Sequence, residues 1–321
     1  MSQLVVPSDL TPAEVAQIVE SIEEARALGT RKSYASRIRQ WEQWCEERGR
    51  IPLPADPTHV AAHIAYLGDQ GKSVSTIKTT LAALRALHED KGFDDPTRVV
   101  GVRKTRQGLT RRIGAAPKKQ AHALALDELK RMLDTCDTDG VRDTRDRAVL
   151  LIGFAGALRR SEIAAFNVEH IGRKRSGLTI WIPSSKGDQE GEGDWVGIAR
   201  GANKATCPVT ALYDWLDLTE WAAGPVFRRV SRHDSIPLTD LPLTGAAIDE
   251  IVQARAALAG LGDLAISGHS LRAGHATTAA EAGVDAARIA RTTRHARLET
   301  LASYVRPAEV LRDTTSRVLG L

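Results

Sequence analysis

HSLRAGHATTAAEAGVDAARIARTTRHARLETLASY, residues 269–304, is the stretch around which the rest of the chain is arranged. Gly268 and Ser270 mark a helix start, so His269 stands at its N-terminal mouth and Arg272, three residues on, shares its face. Gly283 stops that helix, and Asp285 can cap the next, which carries Arg288, Arg291 and Arg294 toward His295. Tyr304 follows nine residues later, at the end of a short Leu/Ala segment. Two histidines, several arginines and a tyrosine, with no acidic cluster to bind a metal, suit a phosphodiester substrate. The expected chemistry is metal-free attack by the tyrosine.

A chain of 321 residues is long enough for two domains, each with its own core. Cys45, Cys136 and Cys207 lie far apart without a C-x-x-C pair, which points away from both a zinc ribbon and a disulfide framework. The opening MSQLVVPSDL has no basic-then-apolar order, and no apolar run reaches 18 residues, so the expectation is a cytoplasmic protein that neither enters nor crosses a membrane. Charge is uneven. Residues 1–120 hold 19 Lys and Arg against 14 Asp and Glu, whereas the remainder holds 25 against 26. A basic first half allows a polyanionic partner without demanding one.

The first half reads as a bundle of four or five helices. Thr11-Pro12-x-Glu14 is a capping box with proline in the first turn. Tyr34, Ile38, Trp41 and Cys45 recur at spacings of three and four over 31–48, Asp56-Pro57 starts a third helix, and Ile77, Leu81, Leu84 and Leu87 stripe a fourth over 73–91. Trp41 reads as core and Trp44 as its half-buried neighbour. The fourth helix also carries Lys72, Ser75, Lys78 and Arg85. Short hydroxyls beside basic residues let a helix lie in a major groove against phosphates, although a solvated face looks the same. The segment 103–120, RKTRQGLTRRIGAAPKKQ, has no acid and includes Arg106, Arg111 and Arg112. Its first half can continue a helix, and its second half, broken by Gly114 and Pro117, reads as an extended basic linker.

In the second half, helices are expected from Leu126, from Thr144 to Gly156, from about Pro208 to Trp221 and from Thr244 to Ala259. G-A-L-R-R-S-E-I, residues 156–163, is a glycine-marked break, an arginine and a new helix with Glu162 near its start. Strands are expected at 168–171, 178–182 and 195–199, a small antiparallel sheet whose last two strands are joined by a turn carrying Lys186. No internal repeat or low-complexity block occurs. The P-loop, dinucleotide-binding and H-E-x-x-H patterns are all absent.

Arg159 within G-A-L-R-R-S-E-I, the turn lysine at 186, H-S-L-R at 269–272, His295 and Tyr304 together resemble the tyrosine recombinase (phage integrase) family, in particular its Cre-like and Xer-like members. The spacing of 23 residues from Arg272 to His295 and nine more to Tyr304 is the one that family uses. The likeness covers 121–321 closely, and the first half in kind. It implies a mainly α fold: a helical, SAM-like core-binding domain, then a mostly helical catalytic domain with a small antiparallel sheet. The corresponding divisions are 1–105, a linker at 106–120 and 121–321.

The resemblance further implies a site-specific recombinase that cleaves duplex DNA through a 3′-phosphotyrosine and a Holliday junction, without metal or other cofactor. Tyr304 would be the nucleophile, and Arg159 and Arg272 would grip the non-bridging oxygens. His269 and His295 would donate hydrogen bonds or move the tyrosine proton, Lys186 would protonate the leaving oxygen, and Glu162 would orient Arg159 or His269. Arg160 competes with Arg159 for the first role, and Lys174 and Lys204 with Lys186. His275 reads as structural. The partners implied are double-stranded DNA bearing an inverted repeat and further copies of the chain, as a tetramer on two sites. Val310, Leu311, Val318 and Leu319 of the tail would dock a neighbour, unless the tail folds back on its own domain. Two other readings compete: a type IB topoisomerase-like nicking and resealing enzyme, and a catalytically silent DNA-binding accessory protein.

Overall fold

A computed structural model of the chain describes residues 10–24, 26–114, 121–183, 192–236, 241–294 and 319. The chain divides into two compact units, residues 1–118 and 119–321. Among the described residues, helices dominate both, and no helix is long and apolar enough to cross a membrane.

The first unit contains α1 (Pro12–Glu24), α2 (Leu28–Glu46), α3 (Pro57–Asp69), α4 (Val74–Lys91) and α5 (Val100–Ile113). The capping box at α1 is present: the Thr11 amide donates to Glu14 Oε2 at 2.7 Å, and the Glu14 amide donates to Thr11 Oγ1 at 3.3 Å. Asp56 caps α3 and Ser73 caps α4. The core of this unit joins Trp41 and Cys45 of α2, Val60, Ile64 and Leu67 of α3, Ile77, Leu81 and Leu84 of α4, and Val102 and Leu109 of α5. Trp44 is not half-buried, as its helical position suggested, but only 5% exposed. The Arg48 and Arg50 guanidinium groups stand 4.9 and 4.6 Å from its ring centre, and His63 packs against it edge-on at 4.9 Å. These covering groups come from beyond α2's own surface stripe. The first half of the basic segment at 103–120 belongs to α5, which runs on to Ile113.

The second unit contains α6 (Leu126–Asp134), α7 (Val141–Ala155), α8 (Arg160–Ala165), β1 (Ile171–Lys174), β2 (Gly177–Ile182), β3 (Asp194–Ala199), α9 (Pro208–Thr219), α10 (Gly245–Leu258), α11 (Gly268–Glu281) and α12 (Ala286–Thr293). The strands form an antiparallel sheet in the order β1-β2-β3. β1 lies three residues later than the sequence indicated, because Val168–His170 takes a 3-10 turn. The Asn167 amide donates to His170 Nδ1 at 3.1 Å across that turn and closes it locally before the strand begins. α7 likewise starts at Val141, three residues ahead of Thr144.

The core of this unit is one apolar cluster running from Leu129 and Met132 of α6 through α7, the sheet, Trp215 of α9 and Ile248 and Val252 of α10 to Leu271 of α11. A buried ionic network lies within it. Asp146 accepts from Arg145 Nη2 at 2.7 Å and from Arg255 Nε at 2.8 Å, and Arg255 also reaches Asp143 at 2.6 Å. Two arginines shared between two carboxylates leave none of these charges buried alone.

Candidate active site

Three pieces of backbone meet here: the break between α7 and α8, the first turn of α11, and the end of α12. Gly156 closes α7, and Ala157 then takes a left-handed conformation with φ 47° while remaining fully buried. That turn is costly for a residue with a Cβ. It sends the chain into α8 with Arg159 as the residue before the first helical turn. Glu162, one turn on, accepts from the Arg159 amide at 2.9 Å through Oε2 and from Arg159 Nη1 at 2.5 Å through Oε1.

α11 is anchored to the same break. Its cap is Ser267 rather than Ser270. Ser267 accepts from the His269 amide at 3.3 Å, and the Ser270 hydroxyl accepts from the Ser267 amide at 3.0 Å. His269 is exposed at the mouth of the helix, as the motif required. Arg272, on the same face one turn further, is 2% exposed and donates from Nη1 to the Ala157 carbonyl at 2.7 Å. Arg272 is thereby tied to the loop that carries Arg159, since Ala157 receives it two residues before that arginine. Asp249 of α10 fixes this arrangement from outside. It accepts from the Gly268 amide at 2.7 Å and pairs with the Arg160 guanidinium. Arg160 is thus committed to holding α8 against α10 and α11.

Behind α11 lies the segment at 121–125. The His122 amide donates to the Ala265 carbonyl at 3.0 Å and the Leu124 amide to the Ser270 carbonyl at 3.3 Å. Gly274 permits this closeness: a Cβ there would run into the Leu124 carbonyl oxygen and stand 3.0 Å from its carbonyl carbon and nitrogen. His275 is structural, as read from the sequence. Its Nδ1 lies 2.9 Å from the Phe154 carbonyl, and burial is the main cause that holds its pKa below the usual value.

Gly283, at φ 80°, ends α11, and Asp285 caps α12 by accepting from the Ala287 and Arg288 amides at 2.8 and 3.2 Å. Both were legible in the sequence. Arg294 closes α12 in a left-handed conformation, φ 52° and ψ 50°. Its Nη2 donates to Glu162 Oε2 at 2.7 Å, and its carbonyl accepts from Arg159 Nη2 at 3.4 Å. Glu162 is therefore shared between two guanidinium groups. Burial raises its pKa, but Arg294, the Arg159 amide and the Arg159 guanidinium outweigh that and hold the carboxyl below its usual range. The sequence reading paired Glu162 with Arg159 but did not find Arg294. The signal available was a buried-position acid three residues from one arginine, with another arginine adjoining His295.

Lys186, His295, Tyr304, Val310, Leu311 and Val318 lie outside the described residues; Leu319 is described and exposed. The strands β2 and β3 flank the segment that carries Lys186. Among the described residues, no group of three or more His, Cys, Asp or Glu is placed to hold a metal ion. Chemically, the described part offers a short loop where two guanidinium groups can meet a phosphoryl group, with a histidine at a helix mouth beside it.

In the first unit, Lys72, Ser75, Lys78 and Arg85 are all exposed, the last three on the outer face of α4. Arg85 is already paired with Glu89 at 2.7 Å and lies 3.7 Å from Asp95. On α5, Arg111 is exposed and Arg106 half-buried, while Arg112 pairs with Asp69 at 2.8 Å. Arg103 and Lys104, not singled out in the sequence, are exposed on the same helix and have no acid three or four residues away.

Comparison with known proteins bears on the family and the fold. The profile of the phage integrase family matches residues 122–310, and that of the phage integrase N-terminal SAM-like domain matches residues 20–90. An integrase/recombinase XerD homolog of Selenomonas ruminantium is 32% identical over 295 residues, spanning 91% of this chain and 85% of that protein. The tyrosine recombinase XerD of Listeria monocytogenes serotype 4b is 25% identical over 293 residues, spanning 88% of this chain and 89% of that protein. Among solved structures, the XerH site-specific recombinase bound to a palindromic difH substrate is similar at a TM-score of 0.62 and 19% identity, over 90% of this chain and 80% of that one. A lambda integrase dimer bound to a COC′ core site is similar at 0.57 and 15% identity, over 92% of this chain and 95% of that one. At such identities these two likenesses are likenesses of fold.

Proposed function

This chain belongs to the phage integrase family, and from that premise we propose that it is a site-specific DNA recombinase working through a 3′-phosphotyrosine. The observation that carries the reading is the tie of Arg272 to the Ala157 carbonyl, on the loop that carries Arg159, with Glu162 holding Arg159 in place. Two guanidinium groups at one loop match the two non-bridging oxygens of a phosphodiester, and their field strengthens as charge builds on a five-coordinate phosphorus.

The Tyr304 oxygen attacks that phosphorus, forming a tyrosine–phosphate ester at the 3′ side as the bond to the 5′ oxygen breaks. Lys186 gives its proton to the departing 5′ oxygen, and His269 and His295 hydrogen-bond the phosphoryl group or take the tyrosine proton. Because the ester keeps the energy of the broken bond, a 5′ hydroxyl from a partner duplex can displace the tyrosine without a nucleotide. One exchange gives a Holliday junction, and a second resolves it.

The exposed face of α4 and the basic residues of α5 support a DNA-binding role for the first unit, through Lys72, Ser75, Lys78, Arg85, Arg106, Arg111 and Arg112. The helical unit runs on through α5 to Ile113, with Leu109 in its core, so the connection to a catalytic domain at 121–321 begins after Ile113 and not at 106. Four copies on two inverted-repeat sites form the active assembly, with Val310, Leu311, Val318 and Leu319 docking one subunit on the next. A protein that works on chromosomal or replicon DNA would act in the cytoplasm, on the nucleoid.

A plasmid carrying two copies of the target in direct repeat separates this reading from its nearest rival. Incubated with the protein and EDTA, it should yield two circles. Relaxation of a supercoiled one-site plasmid without product exchange would instead mark a nicking and resealing enzyme. Binding with neither product would mark an accessory protein. Deleting residues after Pro307 should leave binding to one half-site within about threefold of the full chain and abolish the two-circle product.

A further inference from the structure

We infer that Arg294 is a positioning residue of this site: it keeps Glu162 from neutralising Arg159. The inference rests on the role given above to Arg159.

Its first support is conformational. Arg294 is left-handed, φ 52° and ψ 50°, at a position that glycine fills without strain. A side chain kept where it costs conformational energy is held by other contacts, and here the contacts are visible. The side chain is 6% exposed, and that of its partner Glu162 is 2% exposed. Nη2 donates to Glu162 Oε2 at 2.7 Å and Nη1 to the Thr292 carbonyl at 3.2 Å. Its carbonyl accepts from Arg159 Nη2 at 3.4 Å. The Arg159 guanidinium is therefore fixed at both ends, by Glu162 through Nη1 and by the Arg294 backbone through Nη2.

Its second support is charge. Glu162 divides its two oxygens between two guanidinium groups, so one negative charge stands against two positive ones. The group keeps a net positive charge. Without Arg294, the carboxylate would belong to Arg159 alone, and the field of that arginine at the phosphate would largely cancel.

The ion pair and the backbone strain separate in variants. Arg294→Ala loses the pair and keeps the strain, Arg294→Gly loses both, and Arg294→Lys keeps the charge. On a nicked fragment that traps the adduct, with protein saturating, Arg294→Ala and Arg294→Gly should both cut about 100-fold more slowly than wild type. Half-site binding should change by no more than about threefold. Arg294→Lys should recover at least about tenfold, and Glu162→Gln placed in the Arg294→Ala chain should speed cleavage rather than slow it further. A merely structural role predicts that the double variant is as slow as Arg294→Ala or slower.

A second readout needs no activity. Amide exchange in the first turn of α8, residues 159–163, should rise in Arg294→Ala and Arg294→Gly and stay near wild type in Arg294→Lys. Wild-type cleavage by Arg294→Gly, or unchanged exchange at α8 in Arg294→Ala, would overturn the inference. If the wild-type chain forms no adduct, the recombinase reading fails instead, and the exchange experiment still decides whether Arg294 holds α8.

Discussion

Gly274→Ala is a sharp test of how α11 is held. The new methyl group would meet the backbone of Leu124: it runs into the carbonyl oxygen and lies 3.0 Å from the carbonyl carbon and nitrogen. Backbone cannot swing aside as a flexible side chain can. The segment at 121–125 must retreat by about 1 Å to restore an ordinary carbon–oxygen approach of about 3.3 Å. That movement stretches its two ties to the α11 entrance, from the His122 amide to Ala265 at 3.0 Å and from the Leu124 amide to Ser270 at 3.3 Å. Overpacking costs about 1–3 kcal/mol, and each lost hydrogen bond about 1 kcal/mol. The sum is about 3–5 kcal/mol. For a unit of residues 119–321 this lowers Tm by about 6–20 °C. Differential scanning calorimetry of the full chain measures it, with Gly197→Ala as control, since a Cβ at Gly197 meets nothing within 4 Å. A Gly274→Ala chain melting within about 2 °C of wild type would refute the close approach of Leu124 to α11.

Three further outcomes follow from buried groups. Burial, with the nearby Arg48 charge, pushes the His63 pKa down to about 4, against about 6.5 in an unfolded chain. Between those values the unfolded state binds a proton that the folded state refuses, so stability is complete above about pH 6.5 and falls as the pH drops toward 4. The loss is about 3 kcal/mol. Urea unfolding at a series of pH values should show it in wild type and not in His63→Leu, and parallel curves for the two chains would contradict it. Asp146→Ala strips the buried Arg145 guanidinium of its carboxylate and leaves Arg255 paired with Asp143, and should cost about 3–5 kcal/mol in the same unfolding assay. A loss below about 1 kcal/mol would mean that the pair is solvated. Cys45, Cys136 and Cys207 are all buried, and burial pushes Cys136 up to about 11. Burial opposes ionisation of Cys207 as well, but hydrogen bonds from Thr210 and Gly201 outweigh it and hold that thiol below its usual value, so its protection rests on inaccessibility alone. The native chain at pH 8 should show no fast-reacting thiol toward a disulfide reagent, whereas the unfolded chain exposes all of them.

What could be read from the sequence was local. The Thr11/Glu14 box, the Asp285 cap, the Gly283 stop and the H-S-L-R turn at 269–272 follow from rules that span four residues or fewer, and the structure bears each of them out. The readings that shifted depended on partners distant in sequence. Trp44 is covered by His63 and by Arg48 and Arg50 beyond the end of its helix, which no helical stripe reveals. β1 was displaced by a side-chain bond from His170 that competes with the strand. At the site, Arg159 and Arg272 were recognisable as members of a spaced set, yet the tie of Arg272 to the Ala157 carbonyl was not, because a buried left-handed alanine leaves no compositional mark. The sharing of Glu162 with Arg294 is likewise a tertiary fact, joining residues 132 positions apart.

The most direct measurement is the identity of the residue that becomes joined to DNA. Replicon fragments nicked near candidate repeats, so that the cleaved 5′ piece diffuses away, would be incubated with the chain in EDTA, denatured and digested for mass spectrometry. Attack by Tyr304 predicts a nucleotide-linked peptide containing that tyrosine, lost in Tyr304→Phe and retained in a control at the surface tyrosine, Tyr66→Phe. An adduct that survives Tyr304→Phe, or that maps to any other residue, would contradict it.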